Sequence, residues 1–140
     1  RPDHDVRRVE NLEDAAHDAV EVGDVRRGQG VDHRRTDGSD VARCGGITET
    51  IRIAQLARSR GIETVPHAWK SGIIKAASLH CNAVMPDGTW QEYCVADTPI
   101  AKTLTVQRLP IEADGYVAVP TTPGLGVDLD EDVLESLRVG

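Results

Sequence analysis

The large apolar side chains of this chain are confined to one part of it. All eight Ile, all four aromatic residues and eight of the nine Leu lie after position 46 of 140. Burying such side chains is what offsets the conformational entropy of ordering a chain. A folded core is therefore expected from about position 39 onward. Residues 1–38 instead carry 17 of the 39 charged residues and alternate Asp, Arg, Val, Gly and His with little period. We read 1–38 as an atypical N-terminal stretch, disordered or translated out of frame. In a shifted frame, GC-rich codons for Arg26–Asp37 can encode an apolar lead-in suited to a strand. Glu10–Val20 is the one part with helical character, as a short polar helix. A first residue other than Met points to a missing true start.

Composition narrows the partners. The formal net charge is -7 with only four aromatic residues, so no broad electrostatic footprint for nucleic acid exists. No apolar run is long enough to span a bilayer, and no signal peptide is visible, so no membrane partner is expected. Three Cys, at 44, 81 and 94, form no Cys-x-x-Cys pair. An odd, unpaired set argues against a disulfide framework and for a reducing, cytoplasmic setting. A zinc site from His67, His80, Cys81 and Cys94 fits no common ligand spacing, and no metal ligand is assigned.

From Ser39 the pattern sharpens. Cys44-Gly45-Gly46 is a loop, with Thr48 in the N-cap region of a helix. Ile47, Ile51, Ala54 and Leu56–Ala57 give an apolar stripe running to Arg60, and Gly61 ends it. Ile62–Val65 is a short β-prone run stopped by Pro66. Ser71 to about Asn82 reads as a second helix, and Trp90–Val95 as another strand. Helix, strand, helix, strand with short loops is the signature of parallel βα units, an α/β fold. Two such units cannot close a sheet, so the segment reads as the end of a larger α/β domain. In the tail, Leu109–Ile111 and Tyr116–Val119 suggest a hairpin turning at Asp114-Gly115. Pro120–Gly126 reads as a loop, and Asp130 caps a short helix to Leu137.

Three polar residues sit at or near strand ends, where parallel βα folds place their chemistry. Asp40 precedes the Gly-Gly loop, His67 follows Ile62–Val65, and Glu92 lies within Trp90–Val95. A His beside a carboxylate gains basicity and a fixed tautomer, which suits proton transfer near neutral pH. A second carboxylate can stay protonated and donate to a developing oxyanion. Spacing alone leaves other roles open: a structural His67, an Asp40 that caps the next helix, a half-buried Glu92 paired with Lys70 or Arg108.

The residues themselves resemble a known family. Asp40-Val-Ala-Arg-Cys-Gly-Gly-Ile-Thr-Glu49 is similar to the Asp-bearing strand end and Gly-Gly loop of the mandelate racemase/muconate lactonizing enzyme family, in the enolase superfamily. Val65-Pro-His-Ala-Trp-Lys-Ser-Gly72, followed by Ala76-Ala-Ser-Leu-His80, resembles its seventh-strand His and helix. Gln91-Glu-Tyr93 resembles its eighth-strand Glu. Asp114-Gly-Tyr-Val-Ala-Val-Pro120 and Pro123-Gly-Leu-Gly-Val-Asp-Leu-Asp130 resemble its C-terminal return segment. The motifs occur in family order across about 39–140.

The resemblance implies a C-terminal fragment of a modified TIM (β/α) barrel. Residues 39–108 would supply the final strands and helices, and 109–140 the segment returning to an α+β capping domain. It implies a Mg2+ ion, a sugar-acid carboxylate substrate and homo-oligomeric full-length relatives. It implies His67 with Asp40 as the acid/base dyad, Glu92 as hydrogen-bond partner of an enediolate, and Trp69 and Lys70 lining the substrate pocket. The Pro-His-Ala-Trp-Lys-Ser-Gly form resembles sugar-acid dehydratases, which remove the proton next to the carboxylate and expel the 3-hydroxyl. A racemase or epimerase would use the same dyad, a lactonizing enzyme belongs to the same family, and a non-catalytic remnant is the reading from another class. The family's three acidic metal ligands and its Lys-x-Lys lie on earlier strands, and this chain has no Lys-x-Lys. On that basis the chain alone is expected to be inactive.

Overall fold

A computed structural model describes residues 19–22, 36–85 and 90–139. The described residues form six short strands and four helices. They are β1 (Ala19–Val22), β2 (Thr36–Asp37), α1 (Ile47–Arg58), β3 (Glu63–Thr64), β4 (His67–Ala68), α2 (Gly72–Val84), β5 (Trp90–Tyr93), α3 (Pro99–Lys102), β6 (Tyr116–Ala118) and α4 (Glu131–Ser136). The larger sheet runs β4-β5-β1-β6, and β2 pairs with β3. The β2–β3, β4–β5 and β1–β5 pairs are parallel, and β1–β6 is antiparallel. This is the α/β arrangement that the alternation of elements implies.

Two short parts of the N-terminal stretch, Ala19–Val22 and Thr36–Asp37, are extended. Ala19–Val22 forms a strand flanked by β5 and β6, with Glu21 opposite Trp90 on one side and Tyr116 on the other. Val at 20 and 22 suits an extended backbone, and a partner on each side supplies the ladder that a sequence cannot show. The helix expected over Glu10–Val20 is therefore wrong at Ala19–Val20, and the rest of it lies outside the described residues. Thr36–Asp37 pairs with Glu63–Thr64, so a strand does lead into Asp40.

α1 starts after Gly46, whose φ of 91° places it in the left-handed region, and no side chain caps the helix. The N-cap expected near Thr48 falls two residues earlier, because the Gly-Gly loop makes the turn itself. Glu49 in the first turn and Arg58 in the last complement the helix dipole. The buried face is Thr50, Ala54 and Ala57, whereas Ile47 and Leu56 stay exposed. Small residues on the inner face let α1 lie close against α2.

α2 is capped by Ser71, whose hydroxyl accepts from Ile74 N at 3.4 Å. Its buried residues run from Gly72 and Lys75 through Ala76–Leu79 to Cys81 and Asn82, as befits a helix enclosed on most sides. Val41, Ala54, Ala77, Cys81 and Met85 form the core between α1 and α2. Leu79, Val117 and Val119 form a second core on the sheet side, joined by Tyr93 and Leu109. Gly72 is needed where it is, because a Cβ there would lie 2.1 Å from Thr105 Oγ1.

The tail keeps its turn but changes its partner. Gly115, at φ 89°, donates its N–H to Glu112 O at 2.9 Å. The strand that follows pairs with β1 and not with Leu109–Ile111, so the expected hairpin does not form. Asp130 caps α4, accepting from Val133 N at 3.1 Å. The tail also bonds to the α/β unit: Asp130 N donates to Leu104 O at 2.9 Å, and His80 Nε2 lies 3.2 Å from Leu125 O. α3, which the sequence reading lacks, is one turn with Thr98 as its cap.

Candidate active site

Pro66 breaks the chain between β3 and β4, since proline has no N–H for the ladder. Its carbonyl accepts from Gln91 Nε2 at 2.7 Å and from Glu92 N at 3.1 Å. These bonds fix β4 against β5 so that His67 is opposite Glu92 and Ala68 opposite Tyr93. Side chains opposite each other in register share a face. His67 Nδ1 lies 2.6 Å from Glu92 Oε2. Trp69, two residues on and so on the same face, donates Nε1–H to Glu92 Oε1 at 3.0 Å. The His67 and Trp69 rings stack, with centroids 5.7 Å apart and planes 18° apart.

One carboxylate therefore holds two rings. A carboxylate in its ionised form only accepts, and with that form the bond at 2.6 Å is donated by His67 Nδ1–H. In the neutral imidazole the lone pair is then on Nε2. The pair is neither dry nor open, with side-chain exposures of 32% for His67 and 28% for Glu92.

Asp40 lies on the other side of His67. Its backbone bridges His67 in parallel, and His67 N donates to Ser39 O at 3.0 Å. Adjacent strands are what a His67–Asp40 dyad needs, yet the Asp40 carboxylate accepts from Ala42 N at 2.9 Å. That bond turns the chain into the Gly-Gly loop. The structure thus brings together His67, Glu92 and Trp69, and leaves Asp40 beside them with its carboxylate on the loop. Lys70 is exposed and has φ 102°, the single non-glycine residue among those described with positive φ. An L-residue held there is strained, and the bend carries the chain from Trp69 to the cap at Ser71. Neither Lys70 nor Arg108 pairs with Glu92, whose partners are the two rings.

The other face of the sheet holds groups that sequence reasoning passed over. Lys75 reads as a solvated lysine but is buried, with its ammonium 4.7 Å from the centroid of the Tyr93 ring. Burial lowers its pKa, and the neighbouring Cys94 acts against that. Burial, with a smaller contribution from Cys94, raises the Tyr93 pKa. Cys81 is pushed up to about 11 by burial and then by Cys44. Among the described residues no group of three His, Cys, Asp or Glu could hold a metal ion, so they do not fit a magnesium centre. No helix among them is long and apolar enough to cross a membrane.

Residues 38–133 match the family model described as "Enolase C-terminal domain-like". The chain belongs to that family, and so to the enolase superfamily. Its relatives are in the mandelate racemase/muconate lactonizing enzyme branch. It is 35% identical over 109 residues to the D-galactarolactone cycloisomerase of Agrobacterium fabrum, a match covering 71% of this chain and 28% of that protein. It is 34% identical over 97 residues to the D-galactonate dehydratase of Ralstonia pickettii, covering 66% and 25%. The crystal structure of a mandelate racemase/muconate lactonizing enzyme from Jannaschia sp. CCS1 superposes with a TM-score of 0.67 at 31% identity, covering 76% of this chain and 27% of that one. The chain thus spans about a quarter of the length of these relatives.

Proposed function

We propose that this chain supplies the proton-transfer part of a sugar-acid dehydratase, as the last βα units of an enolase-type barrel. The observation that carries this reading is the His67–Glu92 pair at 2.6 Å, at the strand end where the family resemblance puts its acid/base His. Similarity to a D-galactonate dehydratase supports the substrate class. Exposed Ile47, Leu56 and Ile100 suit a unit that packs against further barrel elements.

The chemistry follows from the pair. His67 Nε2 takes the proton next to the substrate carboxylate, and the C–H electrons pass into an enediolate. Glu92 holds the resulting imidazolium by its Nδ1–H. The imidazolium then returns its proton to the 3-hydroxyl, which leaves as water. Loss of water leaves an enol, which ketonises by giving up its hydroxyl proton and gaining one at C3, so the products are one water and a 2-keto-3-deoxy acid. Asp40, one strand away, is the second carboxylate within the imidazole's surroundings, and Trp69 and Lys70 border the substrate. Any magnesium would be held by residues outside those described, and no step here is routed through it.

Similarity to a cycloisomerase at 35% identity favours a second reading. There His67 gives its proton back to carbon, as in a racemase or epimerase, or serves a lactone-forming step. A panel of aldonic and aldaric acids in deuterated water with magnesium separates the readings. Release of a 2-keto-3-deoxy acid marks dehydration, and deuterium incorporation without water loss marks the alternative. The intact polypeptide should lose both on His67→Asn, and retained turnover would remove His67 from the mechanism. Turnover by the 140-residue chain alone would refute its incompleteness, and no turnover by any longer form would leave the non-catalytic reading.

A further inference from the structure

Glu92 and Tyr93 are successive residues of β5, so their side chains leave opposite faces of the sheet. On the Tyr93 side, a cavity of about 160 Å³ opens between the start of α2, α3 and residues 105–110. It has room for about five water molecules at about 30 Å³ each. Three of its lining residues are cations, Lys75, Lys102 and Arg108, and none is an acid.

The polar groups around it are mostly committed. Lys102 Nζ is 2.7 Å from Asp97 Oδ1. The Tyr93 hydroxyl donates to Leu109 O, the Thr105 hydroxyl to Gln107 O, and the Gln107 amide is tied to Asp128 at both ends. Lys75 and Arg108 have no carboxylate partner among the described residues. Lys75 is the more telling of the two. The residue is nine-tenths buried, in the first turns of α2 where the helix N–H groups already make the field positive. Among the described residues no carboxylate balances this cation, and the Tyr93 ring lies against it.

We propose that this cavity binds a phosphate group between the Lys75 ammonium and the Arg108 guanidinium. Two cations from separate elements, an acid-free lining and space for a tetrahedral anion are the features such a group needs. The site is on the opposite face of β5 from the His67–Glu92 pair and does not depend on the reaction proposed there. The phosphate is free or carried on a small metabolite, and the two probes below distinguish these sources.

The test is titration of the ¹⁵N-labelled chain with inorganic phosphate, and separately with glycerol phosphate, at fixed ionic strength in chloride. Saturable shifts of the Gly72–Lys75 amides are expected. Tighter binding of glycerol phosphate would identify a carried group, and tighter binding of inorganic phosphate a free one. Lys75→Met keeps the apolar stem and should weaken binding about tenfold, the size of one lost charge-assisted bond. Arg108→Gln changes an exposed side chain, leaves the fold intact and should weaken binding by a comparable factor. Absence of a saturable shift would overturn the proposal, and so would wild-type affinity in Arg108→Gln. The second outcome decides the matter even where Lys75→Met fails to fold.

Discussion

The two faces of β5 differ in what they allow a charge to do. On the Glu92 side, carboxylate and imidazole meet at 2.6 Å in a place that is part-exposed. Water there limits the cost of charge. On the Tyr93 side and in the helix core beneath it, burial opposes ionisation of three groups. It lowers the Lys75 pKa and raises those of Tyr93 and Cys81. Side chains one position apart thus stand in part-exposed and buried surroundings respectively. Partial exposure separates them more clearly than polarity does.

The buried face is broken most directly at Leu79, which is fully buried against Val117 and Val119. Leu79→Ala should cost about 2–5 kcal/mol in urea unfolding, and a loss under about 1 kcal/mol would show that this face is no packed core. Gly72→Ala comes next. Its Cβ meets Thr105 Oγ1 at 2.1 Å, so about 1–3 kcal/mol should be lost. Thr105→Ala in the same chain should recover part of that, and no recovery would place the strain elsewhere.

Alkaline pH sharpens the contrast with a smaller effect. The Cys81 thiol moves from 9.0 when unfolded to about 11 when folded. Below pH 9 both states hold the proton, and its contribution to stability is full. As pH rises from 9 through about 11 the unfolded chain loses its proton first, so that contribution is lost. Tyr93 acts in the same direction at higher pH. Lys75 acts oppositely, because the unfolded chain keeps its proton longer. The urea midpoint of the parent should therefore fall more over this range than that of Cys81→Ala, and equal falls would contradict the assignment. On the open face the smallest effect is expected. Trp69→Phe keeps the ring but removes the N–H that Glu92 accepts. It should cost about 1 kcal/mol or less in stability, and a loss as large as that of Leu79→Ala would make the site part of the core.

Much of the layout was legible because local signals carried it. The Ser71 and Asp130 caps, the helical stripes and the β-prone runs before His67 and around Glu92 act over a few residues. What escaped depends on distant partners. Tyr116–Ala118 looks like half of a hairpin until Ala19–Val22 is seen beside it. His67 and Glu92 were both candidates, but only the β4–β5 register shows that Glu92, and not Asp40, lies within hydrogen-bond distance of His67 Nδ1. Lys75 carries no sequence signal, since a lysine in a helix reads as solvated until α3 and the 105–110 segment cover it.

The His67–Glu92 pair is tested most directly by the ¹⁵N spectrum of the His67 imidazole across neutral pH. In the neutral ring, Nδ1 should carry the proton and Nε2 the lone pair, and Glu92→Gln should shift the Nδ1 signal while Asp40→Asn should leave it nearly unchanged. A neutral ring protonated on Nε2, or an Nδ1 signal that responds to Asp40 and not to Glu92, would contradict the pairing from which the proposed chemistry is built.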